Sequence, residues 1–218
     1  MVEIFDKEDV SFLKLYQDRF LTADDKVGDQ GYSFMKNIPL FKIHDSDFVE
    51  ELMGHYQDVY PGWATLKKFS YVFRFEPDTD TMLPHIDMDI KSAEALSGIV
   101  KRVLIYANVK WDSSWGGGTY FSAYENYGVN RHNIAKCKRE KFEREAMLVE
   151  NVPGRMVIFD PSEIHMPQRI SGNSEQRLVF AAMIIDPDYS HLIDEIESAL
   201  INDIVLGRFG PHVFSISS

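Results

Sequence analysis

One cysteine, Cys137, in 218 residues leaves no partner for an internal disulfide, which suits a reducing compartment. No run of about eighteen apolar residues is present, so the sequence predicts no transmembrane helix. Basic charge is scarce: 23 Lys and Arg face 34 Asp and Glu, a formal net charge of −11. Such a chain has no general attraction to phosphate backbones or anionic lipid, and neither nucleic acid nor membrane is expected as a partner. Internal repeats, low-complexity tracts and Ser/Gly linkers are missing as well, which predicts a single domain over residues 1–218. The opening residues, MVEIFDKEDV, carry neither the basic region nor the apolar stretch of a secretory signal, and the expected location is cytoplasmic.

What is present is an apolar fraction of 44% with 13% aromatics, enough for one buried core. The early part reads as helical. Residues 11–21 predict a short helix, and a second begins where Asp47, with Glu50 three places on, resembles a capping box. Phe48, Leu52, Tyr56 and Val59 repeat at helical spacing up to Pro61-Gly62. Both helices, within residues 1–62, are expected to flank the core, the second covering a sheet, with His44 and His55 as structural or surface side chains. From Phe69 the period becomes two: Phe69, Tyr71, Phe73 and Phe75 alternate with Ser70, Val72, Arg74 and Glu76, as in a half-buried strand. Residues 100–109 set Val103, Ile105, Ala107 and Val109 on one face and Arg102, Leu104, Tyr106 and Asn108 on the other. Further strands are expected at residues 119–121, 155–159 and 176–185. Residues 189–205 place Ile193, Ile196, Leu200 and Ile204 on one helical stripe, a core-packing face or a seam for a homodimer. The expected fold class is mainly β with flanking helices, built as an antiparallel sandwich.

Two segments interrupt the strand pattern. Residues 111–118, ending in Gly116-Gly117-Gly118, read as a simple hairpin turn. Residues 122–147 form an insertion in which Lys136, Lys138, Arg139, Lys141 and Arg144 make a basic segment within an acidic protein. It reads as a solvated helix, or as a lid that recruits an anionic substrate. Cys137 lies inside it without any sign of a catalytic partner.

The clearest chemical signal is Leu83-Pro84-His85-Ile86-Asp87-Met88-Asp89. Pro84 holds Leu83 extended, so His85 and Asp87 are expected to open a strand with both side chains on one face. Alone the triplet says little, because seven histidines yield about half such a match by accident. Two later residues change its meaning: His165, expected in a loop between strands, and Arg177 on the strand that follows. Two imidazoles and a carboxylate on one face of an iron leave the opposite positions open. An arginine fork suits the far carboxylate of an oxo-acid co-substrate. Each residue has a bland alternative as a turn cap, a surface histidine or an ordinary ion pair, and the combination carries the weight.

With these residues in order, residues 69–185 resemble the 2-oxoglutarate and Fe(II)-dependent oxygenases of the prolyl-hydroxylase-like group. The matching motifs are His85-Ile86-Asp87, Tyr106-Ala107-Asn108, Trp111, Gly117-Gly118, Val152-Pro153-Gly154-Arg155 with Met156 to Phe159, His165, and Arg177 before Leu178-Val179-Phe180. The resemblance implies a double-stranded β-helix core of the jelly-roll or cupin-like kind. It implies Fe(II) held by His85, Asp87 and His165, 2-oxoglutarate bound through Arg177 with help from Tyr106, and O2 as oxidant. The implied reaction hydroxylates an unactivated C–H bond and releases succinate and CO2. Because Asp87 is a carboxylate, chloride finds no vacated ligand position, which argues against a halogenase. Arg169 is a rival to Arg177 and Asp89 to Asp87, and Phe75 stands where relatives often carry a tyrosine. Nucleic-acid demethylases of this fold usually carry a second arginine six places after the first, where this chain has Met183.

The expected substrate is a small molecule, an amino acid or a derivative, sequestered beneath the 122–147 insertion. Leu83, Leu104, Trp115, Arg155 and Gln168 are the candidate wall residues. A prolyl or peptidyl hydroxylase acting on a protein is the alternative within the family. A non-catalytic jelly-roll ligand-binding module is the alternative outside it.

Overall fold

The chain begins with β1 (Val2–Phe5), α1 (Leu13–Thr22), β2 (Leu40–Lys42), α2 (Ser46–Gly54), β3 (Ala64–Thr65) and β4 (Tyr71–Phe75). It continues through α3 (Ile90–Ala95), β5 (Val100–Tyr106), β6 (Thr119–Ser122), α4 (Arg139–Glu145) and β7 (Met147–Val149) to β8 (Met156–Phe159), β9 (Ile164–Pro167) and β10 (Arg177–Ile185). This computed structural model describes residues 1–22, 40–42, 46–60, 64–65, 70–77, 84–87, 90–122, 138–172 and 174–196.

Strand β10 shows why the architecture is layered. All 9 of its residues are buried, which requires cover on both faces of the sheet. Leu178, Phe180, Ala182 and Ile184 join an apolar cluster with the helices, whereas Val179, Ala181, Met183 and Ile185 join the cluster on the opposite face. The seven-stranded sheet runs β1-β8-β5-β10-β4-β2, with β3 on the end of β10, and the three-stranded sheet runs β7-β6-β9. Among the described residues every pairing between these strands is antiparallel.

Helices α1 and α2 cover the outer face. Leu13, Tyr16 and Phe20 recur at helical spacing and pack with Phe48, Val49 and Leu52 against Val72, Val103, Ile105, Met156 and Ile158. Each such burial contributes about 1.5–3 kcal/mol, so this layer anchors the large sheet. On the inner face Leu104, Tyr106, Val157, Phe159, Val179 and Met183 share one core with Phe121, Val149, Ile164 and Met166 of the small sheet. The mainly β class, the face assignment of β5 and the strand expected at residues 176–185 agree with expectation. His55, stacked on Phe12 with centroids 4.4 Å apart and 3.2 Å from the Tyr16 hydroxyl, is a packing residue.

Several local expectations give way. Helix α2 ends at Gly54, and Tyr56 instead turns inward to donate its hydroxyl to the Gly154 carbonyl at 2.8 Å. Strand β1, unforeseen among its charged neighbours, adds an edge to β8. His85 forms one isolated bridge instead of opening a strand, and His165 lies on β9 instead of in a loop. The basic segment is only partly solvated: Phe142 and Arg139 on α4 are buried while the Lys141 and Arg144 side chains are exposed. Residues 123–137 of that segment, with Lys136 and Cys137, lie outside the described residues, as do His44, Leu200, Ile204 and the dimer seam read from them. Pro187–Leu192 is a 3-10 turn capped by the Asp186 carboxylate, and the expected α-helix begins only at Ile193, with Ile196 buried in the inner core and Ile193 packed against it. Among the described residues no helix is long and apolar enough to cross a membrane.

The triple glycine is not a hairpin turn. It carries the chain from β5 in the large sheet to β6 in the small one. Gly117 has φ +77, and a Cβ there would lie 2.9 Å from the Trp111 ring. A Cβ on Gly118 would collide with the backbone oxygen of Val149, which its place in the β6–β7 pairing keeps from yielding. Gly118→Ala is therefore expected to lose about 2 kcal/mol, a fall of roughly 4–8 °C in Tm for a chain of this size. Thermal unfolding followed by circular dichroism checks this, and an unchanged Tm would show that the crossover is looser than described.

Candidate metal centre

Pairing between distant segments builds the site. His85 N–H donates to the His165 carbonyl at 3.0 Å, and His165 N–H returns a bond to the His85 carbonyl at 2.9 Å. This single bridge sets the two imidazoles side by side, ring centroids 4.4 Å apart. His165 is registered opposite Phe121 on β6, and its ring packs against Phe159 at 4.9 Å and Phe121 at 6.0 Å. Its Nδ1 lies 3.2 Å from the Glu163 carbonyl oxygen. That acceptor fixes the proton on Nδ1 and leaves the Nε2 lone pair facing the site.

Asp87, two residues after His85, completes the group. Its Oδ1 is 3.6 Å from His165 Nε2 and 3.9 Å from His85 Nε2. One ligand atom from each of the three residues falls within 4.8 Å of the others, close enough for one ion to engage all three. Burial alone would raise the Asp87 carboxyl, but the charges of Arg102, His165 and His85 and the Arg102 hydrogen bond hold it well below the usual carboxylate range. Burial pushes His165 down to about 4 despite the opposing pull of Asp87. At neutral pH these two groups are an ionised carboxylate and a neutral imidazole, the forms that bind a metal.

The second half of the site is Arg177. It is 1% exposed, with its guanidinium 4.8 Å from the Phe75 ring and 5.3 Å from the Tyr106 ring. Nη2 donates to the Thr119 hydroxyl at 3.1 Å and the Tyr106 side chain also interacts with the guanidinium, while among the described residues Nε and Nη1 are buried with no acceptor. Burial lowers its pKa to about 10, so it stays cationic at neutral pH. A buried cation without a carboxylate partner is costly unless an anion completes it. Tyr106 is also fully buried, and its hydroxyl donates to Thr119 at 3.0 Å with the Val149 carbonyl at 3.3 Å. Thr119 thus links tyrosine to arginine. The sequence reading missed it, although the strand alternation that puts it on the face of Phe121 was visible.

The remaining candidates divide. Leu104, 7% exposed, shares the inner core with Tyr106 and alternates with it along β5. Trp115 meets Trp111 edge-on at 5.2 Å in the crossover turn. Gln168 Oε1 accepts from Gly118 N–H at 3.0 Å and so secures that turn. Arg155 places Nε and Nη2 on Asp6 at 2.6 and 2.9 Å, at the end of β8 away from Phe159. Arg169 is exposed, unlike Arg177. Leu83 and Asp89 lie outside the described residues. Arg102, which the sequence reading treated only as part of a strand face, donates from Nε to Asp87 Oδ2 at 2.6 Å.

No family model matches the chain. No curated protein matches it. Solved structures do. A Pseudomonas putida prolyl-4-hydroxylase is 13% identical with a TM-score of 0.55, covering 85% of this chain and 92% of that one. A Trichoplax adhaerens prolyl hydroxylase, solved with a hypoxia inducible factor peptide fragment, is 14% identical with a TM-score of 0.55, covering 88% and 86%. HygX from Streptomyces hygroscopicus, solved with nickel and 2-oxoglutarate, is 11% identical with a TM-score of 0.58, covering 85% and 83%. The chain therefore has the fold shared by prolyl hydroxylases and other 2-oxoglutarate-dependent oxygenases.

Proposed function

We propose that the protein is an Fe(II)- and 2-oxoglutarate-dependent dioxygenase, one domain over residues 1–218 with a double-stranded β-helix core, hydroxylating an unactivated C–H bond of a small molecule such as an amino acid or its derivative. The observation that carries this reading is Arg177, a buried guanidinium with two unmatched nitrogens on the same inner wall as the histidine–aspartate group. Thr119 and Phe121 are two residues apart on β6, one touching Arg177 and the other registered with His165. Two residues of strand span about 7 Å, a distance that a short dicarboxylate bridges.

His85, Asp87 and His165 would hold the iron on one face. Arg177 would bind the distal carboxylate of 2-oxoglutarate through its unmatched edge, with Thr119 and Tyr106 fixing the guanidinium from behind. Bound there, iron, 2-oxoglutarate and O2 supply the oxidation, with succinate and CO2 released. The apolar residues Phe121, Phe159 and Leu104 keep water from the interior, so the protein's part is orientation and exclusion.

Support for a small substrate comes from HygX, which shares the fold and was solved with hygromycin B. Support for a peptide comes from the Trichoplax enzyme and its bound fragment. Succinate formation from 2-oxoglutarate in air is expected to need Fe(II) and to run slowly without added substrate. A screen of amino acids, their derivatives and proline-containing peptides should then reveal a substrate that raises the rate. Absence of both iron binding and succinate would instead mark a non-catalytic ligand-binding module.

A further inference from the structure

Arg102 has one hydrogen-bonded partner among the described residues, and that partner is Asp87. The arginine sits mid-sheet on β5, registered opposite Met183 on one side and Phe159 on the other, and is 3% exposed. Alternation with Leu104 and Tyr106 sends its side chain to the inner face. Among the described residues its Nη1 is buried with no acceptor, so its one side-chain bond is the link from β5 to Asp87. The short Nε contact is charge-assisted and directional.

The contact is also selective between the two carboxylate oxygens. Arg102 takes Oδ2, and Oδ1 is left facing Nε2 of both histidines at 3.6 and 3.9 Å. A free carboxylate can give a metal one oxygen or two. We propose that Arg102 is the positioning residue of the centre: by occupying Oδ2 it restricts Asp87 to one-oxygen donation and keeps open the coordination position that 2-oxoglutarate needs. This rests on the oxygenase reading above. A purely structural arginine that only neutralised a buried aspartate would support folding and metal binding alike, with no particular effect on the co-substrate.

The test uses the full chain loaded with nickel, a redox-silent stand-in for iron. Calorimetric titrations measure Ni(II) affinity and then 2-oxoglutarate affinity of the nickel-loaded protein, for wild type, Arg102→Met and Arg102→Lys. Arg102→Met is expected to hold Ni(II) within a few-fold of wild type and to lose about 10- to 100-fold in 2-oxoglutarate affinity, an effect of the size that loss of a residue orienting a metal ligand has on a metal site. Arg102→Lys, which can still donate to Oδ2, should recover most of that loss. Unchanged 2-oxoglutarate affinity in Arg102→Met, or parallel loss of nickel and 2-oxoglutarate, overturns the proposal. Should Arg102→Met not fold, a crystal structure of the nickel-loaded wild type decides: Asp87 bound through Oδ1 alone supports it, and both oxygens on nickel overturn it. A wild type that binds neither nickel nor 2-oxoglutarate would instead defeat the oxygenase reading itself.

Discussion

His165→Ala is expected to abolish metal binding and succinate formation while leaving the fold in place. The bridge between His85 and His165 uses main-chain N–H and carbonyl groups, so it survives loss of the imidazole. The strand register with Phe121 is likewise a backbone property. What disappears is one of three donors and a ring packed on Phe121 and Phe159. Stability should fall by roughly 1–3 kcal/mol, the usual consequence of a vacated core position and a lost hydrogen bond. Metal affinity should fall by more than about 100-fold, beyond what loss of a merely supporting residue produces. Calorimetric titration with Fe(II) under anaerobic conditions measures the second effect and thermal unfolding the first. Equal iron affinity in the two proteins would refute the assignment of His165 as a ligand.

The grouping of His85, Asp87 and His165 was legible because these residues follow in a fixed sequence order, and the faces of β5 because strand alternation is a local property. Val103, Ile105 and Ala107 meet the helices, and Leu104 and Tyr106 meet the small sheet, as period two predicts. Arg102 was not legible. On a strand whose two faces are both apolar, an arginine carries no sequence mark of its partner, and Asp87 reaches it only after the chain has turned through α3. The same limit affects Met183. A motif counted along β10 finds no second arginine there, yet Arg102 stands directly across from it on β5. Strand β9 was missed for another reason: it is 4 residues long, it ends in Pro167, and its partner β6 lies beyond the insertion. Short strands owe their existence to tertiary pairing more than to propensity, and such pairing is invisible to a window sliding along the sequence.

Arg177→Met is expected to separate function from stability. Methionine fills much of the same volume beside Phe75 and Tyr106 and brings no charge. The substitution removes two buried nitrogens that lack acceptors, together with one bond to Thr119. Replacing an uncompensated buried charge with a packed apolar chain is commonly neutral or stabilising, so the ligand-free protein should be as stable as wild type or up to about 2 kcal/mol more stable. The co-substrate should respond in the opposite sense. Losing a buried, charge-assisted contact to a carboxylate costs about 2–5 kcal/mol, which corresponds to roughly 30-fold to several-thousand-fold in the 2-oxoglutarate KM. Iron affinity, set by His85, Asp87 and His165, should stay within a few-fold of wild type. An arginine retained for the fold would give the reverse pattern, a lowered Tm with an unchanged KM. Measuring both on one preparation distinguishes a guanidinium kept for an absent anion from one kept for the core.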